Sequence, residues 1–195
     1  KINKGRQKSS FFIVKMQTRT AAIVIDNFLS ESQWQYIQNN LGAYLNAPSF
    51  VEDRNDPYNN TIEWIGEKLK SLNLWQEHWD LMVQNFSFIN TLPAGVNRES
   101  SGGNDGFHSE FGGFVYYAHP TWDSSWGGHL KFKDCSVSQI EPTPNRFVWI
   151  NPVIWHGIEV VNSNAQHNRI TVVGWPEGCV EYPNANMIIN TNIEV

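Results

Sequence analysis

A chain of 195 residues is within the size that one hydrophobic core can serve. With 41% hydrophobic and 13% aromatic residues, including 9 Trp and 11 Phe, it is too apolar and ring-rich to stay disordered. No run nears the roughly 18 apolar residues of a membrane span, and setting aside the five basic residues ahead of Met16 takes the net charge from −5 to −10, which excludes a nucleic-acid binder's basic footprint.

Residues 1–15 read as an N-terminal extension or tag remnant, because their apolar stretch at 11–14 is too short for a secretory core. One domain is expected over 16–195. Residues 21–28 are β-branched and apolar and predict a strand. A helix should follow: Ser30 and Gln33 form a capping box, Leu29 can staple onto Trp34, and Trp34, Ile37, Leu41, Tyr44 and Leu45 recur on one face. A second helix is predicted from a cap at Asn60 with Glu63 three residues on, carrying Ile65, Leu69 and Leu72 inward.

From residue 85 the pattern changes to short apolar segments between Gly, Pro and Asn: 85–92, 113–118, 128–132, 137–140, 146–150, 156–161 and 169–175. Such strands at close spacing indicate a sandwich or barrel, so the expected class is α+β, helices first and a mainly antiparallel core after. Residues 99–106 (ESSGGNDG) have the composition of a flexible loop and end just before His108, where a lid would sit. Cys135 and Cys179 form no C-x-x-C, which argues against a disulfide scaffold or zinc site and fits a reducing cytoplasm.

The candidate chemistry starts with His108 and Glu110, which share a side if the segment is extended. His156, 46 residues on, would supply a third ligand. Two imidazoles and one carboxylate on one face of an octahedron leave positions open for an anionic chelate and for oxygen, the arrangement of oxygen-activating ferrous enzymes. Arg169 opens another strand-like stretch after the turn-forming residues 162–168. If the two strands make a hairpin, Arg169 lies opposite Val160 and about 13 Å from His156 along the strand, at about 3.3 Å per residue. A guanidinium fork takes a carboxylate bidentately, and Thr171 would add a hydroxyl on the same face.

The stretches FVYYAHPTWDSSWGGHLKFKD, IEPTPNRFVWINPVIWHGIEVV and NRITVVGW together resemble the prolyl 4-hydroxylase-like branch of the iron(II)/2-oxoglutarate-dependent oxygenase superfamily, over residues 87–176. The resemblance implies a double-stranded β-helix (jelly-roll, cupin-like) core behind N-terminal supporting helices. It also implies Fe(II) and 2-oxoglutarate as cofactors, ascorbate support, molecular oxygen as co-substrate, and a prolyl or other amino-acid-like substrate, peptidyl or free. By the same likeness Tyr116 would donate its hydroxyl to the distal carboxylate of 2-oxoglutarate while Tyr117 points into the core. The family usually carries H-x-D; Glu110 departs from that, and Asp105 is the fallback carboxylate. Trp122 and Trp126 bracket a loop that could line a substrate entrance, His129 follows a Gly-Gly pair as a pocket candidate, and Trp155 should face away from the metal and pack inside. Two rival readings are a cupin-like metal enzyme that does without 2-oxoglutarate and a non-catalytic jelly-roll binding module using Trp122 and Trp126.

Overall fold

A strand covered on both faces loses the alternation of apolar and polar residues. Two segments of this chain do so: β7 (Phe147–Ile150) and β9 (Arg169–Gly174) are buried at every position. The computed structural model describes residues 20–47, 51–53, 59–72, 87–93, 107–109, 112–175 and 191–194. The expected boundary at residue 15, the loop at 99–106, Asp105, Glu110 and Cys179 all lie outside the described residues.

In chain order, β1 (Thr20–Ile25) leads into α1 (Glu31–Asn40), α2 (Gly42–Leu45), β2 (Val51–Asp53) and α3 (Asn59–Ser71). Then come β3 (Ser87–Leu92), β4 (Gly113–Tyr117), β5 (Leu130–Phe132), β6 (Gln139–Ile140), β7, β8 (His156–Ile158), β9 and β10 (Thr191–Glu194). The α1 start is as expected: Ser30 accepts from the Gln33 N–H, and the Gln33 side chain accepts from the Ser30 N–H. α3 begins at Asn59, so Asn60 sits inside the helix instead of capping it. The short strands β2 and β10 carry no pattern of their own that would have announced them.

A seven-stranded antiparallel sheet runs β10-β1-β7-β4-β9-β3-β2, and a three-stranded one runs β6-β5-β8. Ile23, Ile25, Phe114, Tyr116, Phe147, Trp149, Ile170 and Val172 face the helices, where Ile37, Leu41, Ile65 and Leu69 meet them. The opposite residues of the same strands, among them Ala22, Val24, Tyr117, Val148 and Ile150, pack against Leu130, Phe132 and Ile140 of the small sheet. Helices, large sheet and small sheet thus form three layers around two cores, the expected α+β jelly-roll. Each fully buried aromatic or branched side chain stabilises this arrangement by roughly 1.5–3 kcal/mol of transfer free energy.

Asn145 ties the helix layer to the sheet. It adopts a left-handed backbone, φ 56°, just before β7. Its side-chain oxygen accepts from the Tyr116 hydroxyl and the Leu29 N–H, both at 3.0 Å, while its amide donates to the Leu29 carbonyl. Asparagine tolerates this backbone conformation and alanine does so poorly. Asn145→Ala should therefore strand buried polar groups and strain the turn, costing about 2–4 kcal/mol in urea unfolding. A loss below about 0.5 kcal/mol would contradict this account.

Candidate functional site

β8 is an edge strand of the small sheet, and its first residue is His156. On one side it pairs with β5, His156 opposite Phe132; on the other, His108 forms an isolated antiparallel bridge to it. The two histidines exchange both backbone hydrogen bonds, each at 2.9 Å. Directly opposed residues of an antiparallel pair share a face, so the rings lie side by side, 4.4 Å between centroids and tilted by 59°. Since Phe132 faces the inter-sheet core, His156 opposite it points the same way. The His156 Nδ1–H donates to the Ile154 carbonyl at 2.9 Å, which leaves the lone pair on Nε2, the atom a metal could take.

Arg169 comes from the facing sheet. β9 pairs with β3 and β4, not with β8, so the expected hairpin placing Arg169 opposite Val160 does not form. Instead Val161 bridges Gly127, and residues 162–168 carry the chain from the small sheet to the large one. Asn168 ends that crossing, because its N–H donates to the Leu45 carbonyl and its amide to the carbonyls of Tyr44 and Ala47. Histidines and arginine therefore face each other across a sandwich whose sheets pack about 10 Å apart. Arg169 is 1% exposed and Thr171 is fully buried on the same side of β9. Burial strengthens the attraction between a guanidinium and a carboxylate.

The two tyrosines take the opposite faces from those expected. Tyr117 is the register partner of Thr171, so it shares the face of Thr171 and Arg169, and the Arg169 guanidinium lies 5.0 Å from its ring centre. Its fully buried hydroxyl has no hydrogen-bond partner of good geometry among the described residues. Burial pushes the phenol pKa up and the Arg169 charge opposes that, so the hydroxyl keeps its proton and can donate it. Tyr116 faces the helices, where its hydroxyl is spent on Asn145. Alternation along β4 decides this, and the paired letters YY hide which ring looks inward.

The remaining candidates divide. His129 precedes the inward-facing Leu130 and so lies on the outer face of the small sheet, where it pairs with Glu159, which also holds Lys131 at 3.3 Å. It is not in the pocket. Trp155 does face away from the site, but it is 46% exposed with the Lys133 ammonium 5.8 Å above its ring, not packed inside. Trp122 and Trp126 meet edge to face at 5.3 Å, and His167 packs against both. Gly127 and Gly128 take φ of +70° and +69°, and a Cβ on Gly128 would meet Arg169 Cδ and Trp122 Cζ2 at 3.1 Å each. Trp122 thus packs beside the arginine stem. His119, for which no role was expected, is buried completely in the same group, 4.6 Å from Trp122 and 5.8 Å from Tyr117 between ring centres.

Among the described residues no three His, Cys, Asp or Glu side chains cluster as a metal site. Glu110, the expected third ligand, is not among them. The family model for the 2OG-Fe(II) oxygenase superfamily matches residues 76–177, just over half of the chain. The chain belongs to that superfamily. Fe(II) and 2-oxoglutarate are accordingly its cofactors, and it is a hydroxylating dioxygenase. Membership sets aside the metal enzyme that dispenses with 2-oxoglutarate and the non-catalytic module.

Among solved structures, this oxygenase is similar to a Pseudomonas putida prolyl-4-hydroxylase at 14% identity and TM-score 0.52, over 80% of this chain and 92% of that one. A Trichoplax adhaerens prolyl hydroxylase, solved with a hypoxia inducible factor peptide fragment, matches at 17% identity and TM-score 0.49, over 81% and 84%. The likeness is one of fold. No curated protein matches by sequence. No helix among the described residues is long and apolar enough to cross a membrane.

The residues present fit the two cofactors. Two imidazoles 4.4 Å apart can reach one ion through bonds of about 2 Å. A buried phenol and a guanidinium, both donors, suit the distal carboxylate of 2-oxoglutarate.

His119 adds an acid-sensitive element. Its pKa falls from 6.5 to about 3, chiefly because burial penalises the cation, with the charges of Arg169 and His167 pushing the same way. The unfolded chain therefore binds a proton here between pH 6.5 and about 3 that the folded chain refuses, so stability falls as the pH drops through that window. The slope from this residue approaches about 1.4 kcal/mol per pH unit. Urea unfolding of His119→Asn should show a flatter acid limb than wild type, and parallel limbs would contradict the buried neutral ring.

Proposed function

We propose that this oxygenase hydroxylates a prolyl residue of a peptide, binding iron through His108, Glu110 and His156 and 2-oxoglutarate through Arg169, Tyr117 and Thr171. The opposition of the His108–His156 pair and Arg169 on facing sheets carries the assignment of the residues. The likeness to a Pseudomonas putida prolyl-4-hydroxylase over 92% of that chain supports the choice of substrate class. The two cysteines fit a reducing compartment such as the cytoplasm, which also keeps iron ferrous.

Bound iron(II) supplies oxygen activation, coupling loss of CO2 from 2-oxoglutarate, which leaves succinate, to hydroxylation of a substrate C–H bond. The protein's own part is orientation. His156 holds its tautomer through the Ile154 carbonyl, which keeps the lone pair on Nε2. Arg169 would receive the distal carboxylate of 2-oxoglutarate in its fork and Tyr117 would donate to the same group, which would orient the cosubstrate. Ile170 and Val172, on the other face of β9, seal that strand into the helix layer and deny water a route from behind.

Succinate release with iron and ascorbate tests this reading. His108→Ala should abolish it, and Arg169→Ala should raise the KM for 2-oxoglutarate about 30-fold or more; variants matching wild type would sink the assignment. Glu110→Gln should lower bound iron where Asp105→Asn does not, and the reverse would move the carboxylate ligand to Asp105. Peptides containing proline should gain one oxygen by mass spectrometry, whereas modification of free proline alone would overturn the peptide preference.

The tyrosines give a separate comparison. Tyr117→Phe should weaken 2-oxoglutarate about tenfold, the worth of a hydrogen bond to a charged group. Tyr116→Phe should leave that affinity alone and cost about 1 kcal/mol of stability. Swapped outcomes would restore Tyr116 to the site.

A further inference from the structure

β4 and β9 pair regularly as far as Tyr117 opposite Thr171, and Ala118 N–H still donates to the Ile170 carbonyl at 2.9 Å. Beyond Ala118 the chain turns away at Pro120. Ile170 is fully buried, and its N–H points to the side that β4 is leaving. An N–H without an acceptor there would cost as much as a lost buried hydrogen bond.

His119 supplies that acceptor. The Pro142 carbonyl lies 2.6 Å from Nε2 and can only accept, so Nε2 carries the proton. Nδ1 then holds the lone pair and takes the Ile170 N–H at 3.3 Å. The Ile170 carbonyl, 3.2 Å from the same nitrogen, is already occupied by Ala118. The ring therefore stands where the next backbone carbonyl of β4 would have been, one residue from Arg169. Tyr117, His119 and Trp122 follow one another as neighbouring rings, and Trp122 and the Arg169 stem close on Gly128.

We propose that His119 is a positioning residue for the cosubstrate arginine: its Nδ1, by accepting the Ile170 N–H, holds the first residues of β9 in place and so sets where the Arg169 fork lies. The inference rests on Arg169 binding 2-oxoglutarate. On this account the two amide replacements differ. Asparagine puts its oxygen where Nδ1 was and can still accept from Ile170. Glutamine reaches the Nε2 position, keeps the Pro142 contact and leaves the Ile170 N–H without its acceptor.

The test is calorimetric titration of 2-oxoglutarate into the Mn(II)-loaded protein without oxygen, alongside KM and kcat from succinate release. His119→Asn should bind within about threefold of wild type, while His119→Gln should weaken binding about tenfold and raise KM in step with little change in kcat. Arg169→Ala serves as the reference. Equal binding by wild type and Arg169→Ala would remove the reading of Arg169 itself. Wild-type binding that depends on Arg169, with His119→Asn and His119→Gln behaving alike, would overturn the role of His119 alone. Loss of kcat rather than affinity in His119→Gln would do so too.

Discussion

β9 has a neighbouring strand on each edge and a packed layer on each face, so no water reaches its backbone and every polar group on it must find a protein partner. That constraint organises the rest of the molecule. It forces β3 and β4 alongside, sends Ile170 and Val172 into the helix layer, and leaves Arg169 and Thr171 as the polar residues on the inner face. It also explains why an imidazole finishes the ladder where β4 departs.

The charge at the end of that strand is held by a rigid surround, while the histidines sit on a much smaller sheet. β8 is three residues long, and its outer neighbour is a single bridge through His108. Dividing the site this way has a physical consequence. The large sheet, backed by helices, holds Arg169, the residue proposed for the cosubstrate's distal end; the small one aligns two imidazoles by mutual backbone hydrogen bonds and the tautomer lock at Ile154. Precision at a ligand atom here comes from local hydrogen bonds as much as from packing.

Several features were legible in the sequence because they are local. The Ser30–Gln33 capping box needs only four residues to specify it. The apolar runs of β7 and β9 identify strands whatever they pair with. His108, His156 and Arg169 stand out as residue types suited to iron and a dicarboxylate, in an order that resembles a known family. The errors were of another kind. Pairing β8 with β9 required the strand order, whereas choosing between Tyr116 and Tyr117 and placing His129 required knowing which face of a strand looked inward. A one-residue error in phase reverses that answer.

The sequence by itself thus determined the class of fold, the start of α1 and the chemical types available for metal and cosubstrate, while the division of the interior into two cores followed from the layering of the sheets. Tertiary structure alone decided which of two adjacent tyrosines meets the arginine, that the histidines approach Arg169 across a sandwich instead of along a hairpin, and that His119 belongs to this group at all. The reason is that strand pairing joins residues far apart in the chain, Tyr117 with Thr171 and His108 with His156. Periodicity along one strand carries no record of its partner.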